Sequence, residues 1–161
     1  PFDDTSCENV VIRNNLFSGI CRGLGSHSAT LGIYYTDILI EGNVFENLDD
    51  VAMIMYNYKN CTITNNTITN CASGIEFKAM SSLPNNNFNP PVVKSMEEAV
   101  DGFEDDANSV ISSNTISVSG DDEYGITSGI RLTGYEVKDN GVIPDYNFRV
   151  AGVKILSLIH I

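Results

Sequence analysis

The chain has few basic residues and no long apolar segment. Nine Lys and Arg stand against 21 Asp and Glu in 161 residues, and the formal net charge is −12. This charge would repel a phosphate backbone, so nucleic-acid binding is not expected. A polyanionic substrate would need a local basic patch or a bridging cation. No apolar run approaches the length needed to span a membrane, so no span is expected in this segment.

Motifs for metal binding and nucleophilic catalysis are also missing. No Cys-x-x-Cys pair occurs, so the cysteine spacing indicates neither a zinc site nor a thioredoxin-type redox site. Cys61 is expected to be a buried free thiol, and the alternative is a disulfide that joins Cys61 to Cys71 or Cys7 to Cys21. No Ser-His-Asp or Cys-His set can be assembled around His27 by spacing, and no Gly-rich phosphate loop occurs.

The chain does contain one nine-residue pattern in four copies. The copies start at Asn9, Asp37, Asn60 and Asn108, at separations of 28, 23 and 48 residues, and 48 is close to two periods of 24. Three columns of the aligned copies are nearly invariant: the fourth (Ile12, Ile40, Ile63, Ile111), the seventh (Asn15, Asn43, Asn66, Asn114) and the ninth (Phe17, Phe45, Ile68, Ile116). A short unit that repeats at this period predicts a solenoid.

Each column of the repeat has a predicted role. β-Branched and aromatic residues alternate with polar ones, which is typical of short strands and not of a helix. The Ile and Phe columns are expected to form apolar stacks along the interior. The Asn column is expected to end each strand, because Asn tolerates turn geometry. Its stacked side chains are expected to form a ladder of hydrogen bonds from rung to rung.

A second strand is predicted after each copy, usually opened by Gly. The segments that fit are residues 32–35, 74–78, 129–132 and 152–155, while residues 50–55 fill the same position without a Gly.

This repeat resembles the right-handed parallel β-helix of pectate-lyase-like and polygalacturonase-like proteins and of many microbial surface proteins. The resemblance covers roughly residues 7 to 132. It implies an all-β fold, a right-handed parallel β-helix solenoid of about four to five coils that stack at about 4.8 Å per rung. A propeller or sandwich would not repeat an Asn-x-Ile unit in this way.

The domain prediction is one β-helix domain over residues 1–155, as a fragment of a longer protein. Residues 156–161 resemble a translated sequencing-adapter tail and are expected to be non-native. Residues 19–31 are expected to form a loop that leaves one coil. Residues 80–106 form the main excursion, in which a capping box at 95–98 predicts a short helix over about 96–101. This excursion is expected either to carry function or to cover an exposed face.

Candidate site residues follow from the alternation of side chains along the second strand. Glu76 and Lys78 are expected to point outward, and parallel stacking would align Tyr34, Glu76 and Arg131 in one exposed stripe. In such a stripe Tyr34 can stack on a sugar, Glu76 can act as acid or base, and Arg131 and Lys78 can bind substrate carboxylates. The alternative is an exposed Glu76–Arg131 ion pair that contributes little.

Asp49 and Asp50 precede a predicted strand, as an Asp pair does in polygalacturonase-like hydrolases. The resemblance implies catalytic roles for them, since glycoside hydrolysis uses two carboxylates. The Gly-His-Gly and Arg-Ile-Lys motifs of those enzymes are absent, and a surface turn is the alternative for the Asp pair. Acidic clusters at 104–106 and 121–123 suit Ca²⁺ as a candidate cofactor, against the alternative of solvated loops.

These observations predict an extracellular or cell-surface β-helix that interacts with polysaccharide or a cell-surface glycan, as an adhesin-like or binding scaffold. The alternative is a polysaccharide lyase or glycoside hydrolase of the pectate-lyase-like superfamily. Fold alone does not decide between them, because one fold carries many functions.

Overall fold

The regular structure of the described chain consists of β-strands. The computed structural model describes residues 7–25, 35–56, 58–78, 107–120, 127–133, 152–157 and 159–160, and no helix occurs among them. The strands are β1 (Cys7–Glu8), β2 (Val11–Arg13), β3 (Leu16–Ser18), β4 (Leu24–Gly25), β5 (Tyr35–Thr36), β6 (Leu39–Glu41), β7 (Val44–Tyr56), β8 (Tyr58–Lys59), β9 (Thr62–Thr64), β10 (Thr67–Lys78), β11 (Ser109–Ser112), β12 (Thr115–Val118), β13 (Ile130–Thr133), β14 (Val153–Leu156) and β15 (Ile159–His160).

These strands form three sheets in which the recorded pairs are parallel. The first sheet has the order β14-β11-β9-β6-β2, and the second has the order β15-β12-β10-β7-β3, with β4 also on β7 and β13 also on β10. The third sheet has the order β1-β5-β8. Successive coils therefore add one strand to each of the first two sheets, which confirms the predicted all-β parallel β-helix of several coils.

Corners recur every five residues in the first three coils. Positive φ occurs at Asn9, Asn14 and Gly19, at Asp37, Gly42 and Asn47, and at Asn60, Asn65 and Asn70. Gly, Asn and Asp enter this left-handed region with the least strain, which explains the abundance of Asn in this chain. The middle corner of each coil is the sixth residue of the repeat (Asn14, Gly42, Asn65). The seventh residue was predicted to make this turn, but it contributes only to the ladder.

The seventh residues form the predicted ladder inside the solenoid. Asn15 Nδ2 donates to Asn43 Oδ1 at 3.0 Å, Asn43 Nδ2 to Asn66 Oδ1 at 3.0 Å, and Asn66 Nδ2 to Asn114 Oδ1 at 2.9 Å. Each accepting Oδ1 also receives the backbone N–H of the preceding Asn at 2.9 Å. Because Asn43, Asn66 and Asn114 are buried, these bonds satisfy polar groups that would otherwise destabilise the core.

Apolar columns line the interior on both sides of this ladder. Ile40, Ile63 and Ile111 stack in register in the first sheet, and each is at most 1 % exposed. In the second sheet Phe17 stacks on Phe45 with ring centroids 4.7 Å apart. Ile68 and Ile116 continue this column and are fully buried. The two predicted apolar stacks are therefore confirmed.

The second-strand positions are only partly those predicted. Residues 51–56, 74–78 and 130–133 share one slot, as expected, because Ile54, Glu76 and Arg131 stand in register. In the first coil the slot holds β4, so residues 24–25 are a strand and not loop. Of the predicted segment 32–35, residues 32–34 lie outside the described residues. Tyr35 belongs instead to the third sheet. Residues 153–156 pair with β11 in the first sheet, so the second-strand assignment of 152–155 was wrong.

The glycines at this slot allow neighbouring coils to pack closely. A Cβ on Gly74 would lie 2.1 Å from the carbonyl oxygen of Gly129, and one on Gly23 would lie 2.3 Å from that of Ala52. Both distances are shorter than real Cβ contacts. The chain passes so close to the neighbouring coil here that only the smallest residues fit, which is the physical origin of the Gly signal in the repeat.

All four cysteines are free, with Cys61 and Cys71 buried and Cys7 and Cys21 exposed. The buried free thiol predicted at Cys61 is confirmed. The excursion at 80–106, both acidic clusters, Tyr34 and His27 lie outside the described residues. No helix in the described part of the chain is long and apolar enough to cross a membrane.

Candidate functional site

A β-bulge interrupts the long strand β7 at the Asp pair. Leu48 pairs with Cys71 and Val51 with Ser73, so β7 carries one more residue than β10 between these two points. A bulge of this kind redirects side chains and is common beside functional sites. Here Asp49 is exposed while Asp50 is only 4 % exposed.

Buried Asp50 is held in an ion pair with Arg22, whose own side chain is 43 % exposed. Arg22 Nε donates to Asp50 Oδ2 at 2.5 Å, and the Asp50 backbone N–H donates to the Cys21 carbonyl at 3.0 Å. A buried carboxylate needs such partners, because desolvation of an unpaired charge is expensive. The pair joins the first coil to the second, and Asp50 is not part of a surface turn.

The predicted exposed stripe is absent at Glu76. Glu76 is 2 % exposed, and its Oε2 lies 2.8 Å from Arg131 Nη2. The Glu76–Arg131 pair is therefore confirmed, whereas its exposed setting was wrong: the Arg131 side chain is only 17 % exposed. Tyr34 lies outside the described residues, as does the side chain of Lys78. The substrate-binding roles of Tyr34, Lys78 and Arg131 and the catalytic roles of Asp49, Asp50 and Glu76 stay predictions.

The exposed side of the bulge opens into a groove. This groove has a volume of about 270 Å³ and crosses three successive coils. Its lining comprises Asn47, Leu48, Asp49, Asn70, Ala72, Ser119 and Gly120. Its size is just below the range of small-molecule pockets, about 300–1,000 Å³, and suits a ligand that is small or that extends beyond it.

A second polar ladder forms the wall of this groove. Asn70 Nδ2 donates to Asn47 Oδ1 at 2.7 Å, and Ser119 Oγ donates to Asn70 Oδ1 at 2.5 Å. Asn47 and Asn70 have φ of 55° and 53°, so both lie at corners of the coil. All three side chains are exposed. The corners fix where these amides stand, and the hydrogen bonds fix how they are oriented.

This ladder was not predicted from the sequence. Asn47 and Asn70 occupy the eleventh column of the repeat, two positions beyond the segment that was aligned, and Gly19 occupies the same column in the first copy. An alignment extended by two columns would have shown the two asparagines. Ser119 could not have been added in this way, because the register shifts between Thr69 and Cys71 where β10 meets β12.

Amides, a hydroxyl and one carboxylate give the groove both donors and acceptors on a rigid wall. Such a set hydrogen-bonds polar, uncharged groups and offers no cation to an anionic ligand. The family model described as "Periplasmic copper-binding protein (NosD)" matches residues 5–93, which is more than half of the chain. The chain belongs to the NosD family. No curated protein and no solved structure matches it.

Among the described residues this NosD chain has no group of three or more His, Cys, Asp or Glu side chains placed to hold a metal ion. Burial raises the pKa of the Cys61 thiol to about 11, and burial also raises the pKa of Cys71. Burial therefore disfavours the thiolate form of both cysteines, and the thiolate is the form that ligates a metal. Met53 and Met55 are fully buried in the apolar core.

Proposed function

We propose that this chain is a non-catalytic binding β-helix that works outside the cytoplasm, in the periplasm or at the cell surface. In this proposal the groove beside Asp49 binds a neutral polysaccharide. The observation that carries it is the exposed ladder of Asn47, Asn70 and Ser119, which presents polar groups in a fixed row along the solenoid. The described residues of this family member do not fit a copper site, so copper has no part in the proposal.

The row of polar groups suits a chain of sugar hydroxyls. A ligand site gains affinity when its groups are already ordered, because less conformational entropy is lost on binding. Here the asparagines are held by left-handed corners and by bonds of 2.7 and 2.5 Å. Leu48 and Ala72, which are 3 % and 5 % exposed, close the bottom of the groove.

Charge favours a neutral ligand over a uronate. Asp49 lines the groove, and the lining contains no Lys or Arg. The chain as a whole carries a net charge of −12. A carboxylated sugar would therefore be repelled at this groove unless a cation bridged it.

Nothing in the groove favours the lyase or hydrolase alternative. Asp49 faces the groove, whereas Asp50 is buried in its pair with Arg22. Glu76 is also buried, in its pair with Arg131. Catalytic carboxylates of glycosidases face one another across the scissile bond, and these carboxylates do not share one open site.

The test compares two corner asparagines that differ only in place. Asn47→Gly removes the amide from the groove, and Asn60→Gly removes one from a different corner. Both residues are exposed with φ of 55° and 52°, and the Oδ1 atom of each accepts a hydrogen bond from an asparagine of the next coil, at 2.7 and 2.8 Å. Glycine keeps the left-handed backbone, so each variant should fold.

Binding to a soluble neutral glucan, a neutral galactomannan and polygalacturonate would be measured by affinity electrophoresis and calorimetry, with products assayed in parallel. We expect a neutral polysaccharide to bind without products, Asn47→Gly to weaken binding at least about tenfold, and Asn60→Gly to leave it unchanged. Equal affinity of both variants, or no binding by the wild-type chain, would overturn the proposal. Product formation would favour the enzyme alternative.

A further inference from the structure

We propose that the empty place over Gly19 is a ligand subsite, in which an oxygen of the sugar chain accepts a hydrogen bond from Asn47. This inference rests on the proposed function and deepens it, because it identifies where the ligand begins and which atoms it must present. It arises from a gap in the exposed ladder, at the coil where the ladder stops.

Gly19 has the backbone of a ladder residue without the side chain. Its φ is +64°, beside 55° for Asn47 and 53° for Asn70 in the next two coils. Its N–H donates to the Glu46 carbonyl at 3.2 Å, so the coil is in register at this corner. A Cβ placed on Gly19 would meet no atom within 4 Å. The space that the next side chain of the ladder would occupy is therefore open.

A donor is directed at that space. In the ladder Asn70 Nδ2 donates to Asn47 Oδ1, toward the first coil. Repetition of this geometry by one rung, about 4.8 Å, directs Asn47 Nδ2 at the space over Gly19. Within the described residues Asn47 Nδ2 donates to no protein acceptor. Among the described residues nothing else takes this bond, so a ligand oxygen can accept it.

The bonds behind Asn47 strengthen this donor. Ser119 donates to Asn70 and Asn70 donates to Asn47, so the three groups form a chain in one direction. Hydrogen bonds in such a chain polarise one another, which makes the terminal N–H a better donor. The ligand oxygen takes the position of the missing Oδ1 and completes the chain.

The surroundings define the class of ligand. Glu46 precedes Asn47 and accepts a hydrogen bond at 3.0 Å from the hydroxyl of Ser18, the neighbour of Gly19, and Asp49 lines the groove together with Asn47. Glu46 and Asp49 are both acidic, so a carboxylate at the subsite would be repelled. A hydroxyl or ring oxygen of a neutral sugar accepts from Asn47 without that repulsion, so the subsite selects neutral over uronate residues.

The test fills the subsite with the side chain that the repeat would place there. In Gly19→Asn the new Oδ1 accepts from Asn47 Nδ2 in competition with the ligand, and Asn tolerates the left-handed backbone. The matched control is Ser113→Asn, an amide added at an exposed left-handed corner with φ of 54° outside the groove. Gly19→Ser, with a shorter side chain, provides a second filled variant.

Affinity for a soluble neutral glucan and a neutral galactomannan would be measured for each folded variant by calorimetry, and the Asn47 side-chain amide would be followed by NMR during the titration. We expect Gly19→Asn to raise the melting temperature and to weaken binding at least about tenfold, with a smaller loss for Gly19→Ser and none for Ser113→Asn. The Asn47 amide signal should shift on titration of the wild-type chain.

The outcomes separate this inference from the proposed function. Unchanged affinity in both Gly19 variants, together with a loss in Asn47→Gly, would overturn the subsite and leave the groove in place. An Asn47 amide signal that does not shift while the glucan or galactomannan binds would also overturn the subsite. Absence of any wild-type binding would overturn both.

Discussion

The buried asparagine ladder and the exposed ladder of the groove use the same residue and the same rung-to-rung bond for different purposes. In the buried ladder Asn66 Nδ2 donates to Asn114 Oδ1 and to the carbonyls of Ile40 and Thr64, while its Oδ1 receives two bonds from Asn43. In the exposed ladder Asn47 has one bond, from Asn70. Where backbone groups satisfy every atom, an amide is structural. Where they are absent, it is available to a ligand.

The two ladders also differ in where they can be interrupted. The buried ladder runs unbroken through four asparagines because a gap inside the core would leave amide and backbone groups unsatisfied. The exposed ladder can end at Gly19 without that penalty, since water reaches its end. The gap at Gly19 therefore leaves no buried polar group unsatisfied, so the open position can be kept for a ligand.

The largest effect is expected from a charge in the column next to the buried ladder. Ile63 is 1 % exposed between Ile40 and Ile111. Ile63→Asp would bury an unpaired carboxylate, so the domain should not fold. Circular dichroism and thermal melting would show this, with Thr62→Asp on the outer side of the same strand as the control. A folded Ile63→Asp protein would contradict the register described here.

A direct comparison of the ladders comes from Asn66→Ala and Asn70→Gly. Asn66→Ala leaves several buried donors and acceptors without partners, and we expect a loss of about 3 kcal/mol in the free energy of unfolding. Asn70→Gly removes exposed bonds and should lower it by about 1 kcal/mol or less. Chemical denaturation of both variants measures the difference. Equal losses would mean that burial does not distinguish the ladders.

Cysteines allow the same comparison of buried and exposed positions. Burial, which disfavours the thiolate, raises the pKa of Cys61 in the folded state from its ordinary value of 9.0 to about 11. The folded state then binds more protons than the unfolded state above pH 9, so stability should fall as pH rises from about 9 to 11. Melting temperatures of the wild type and Cys61→Ala across this range test it. An identical fall in Cys61→Ala would assign it to other groups.

The smallest effect is expected on metal binding. Cys61 and Cys71 are buried thiols whose pKa values are raised, and each donates to a carbonyl of its own coil. Replacing both by Ala should leave any copper affinity of the chain unchanged at neutral pH. Competition with a chromogenic chelator, for Cu(I) and Cu(II) separately, measures this affinity. A clear loss in the double variant would show that the buried sulfur atoms are ligands.

Much of the fold could be predicted because its signal repeats. Ile12, Ile40, Ile63 and Ile111 align without gaps, and a column that is apolar in every copy must face the interior of a solenoid. Prediction failed where single copies deviate. Residues 24–25 fill the second-strand slot in the first coil with no pattern that marks them, and Tyr35 belongs to the third sheet.

The site was harder to predict than the fold. Alternation placed Glu76 on the outer face of its strand, and that face is buried at this point. The Asp49–Asp50 pair is visible in the sequence, but strand alternation alone does not show that a bulge turns one side chain to the groove and the other to Arg22. Both errors have one cause: a strand pattern gives the face of a side chain and not what lies over that face.

The sequence by itself determined the period, the two apolar stacks and the buried Asn ladder, because each depends on what every coil repeats. Only the tertiary structure decided which outer positions are buried, where β7 bulges, and that Asn47, Asn70 and Ser119 share one exposed wall while Gly19 leaves it open. These features depend on the register between particular coils. Register is a relation between distant segments, set by close backbone approach and by the length of each turn, and no single copy of the repeat encodes it.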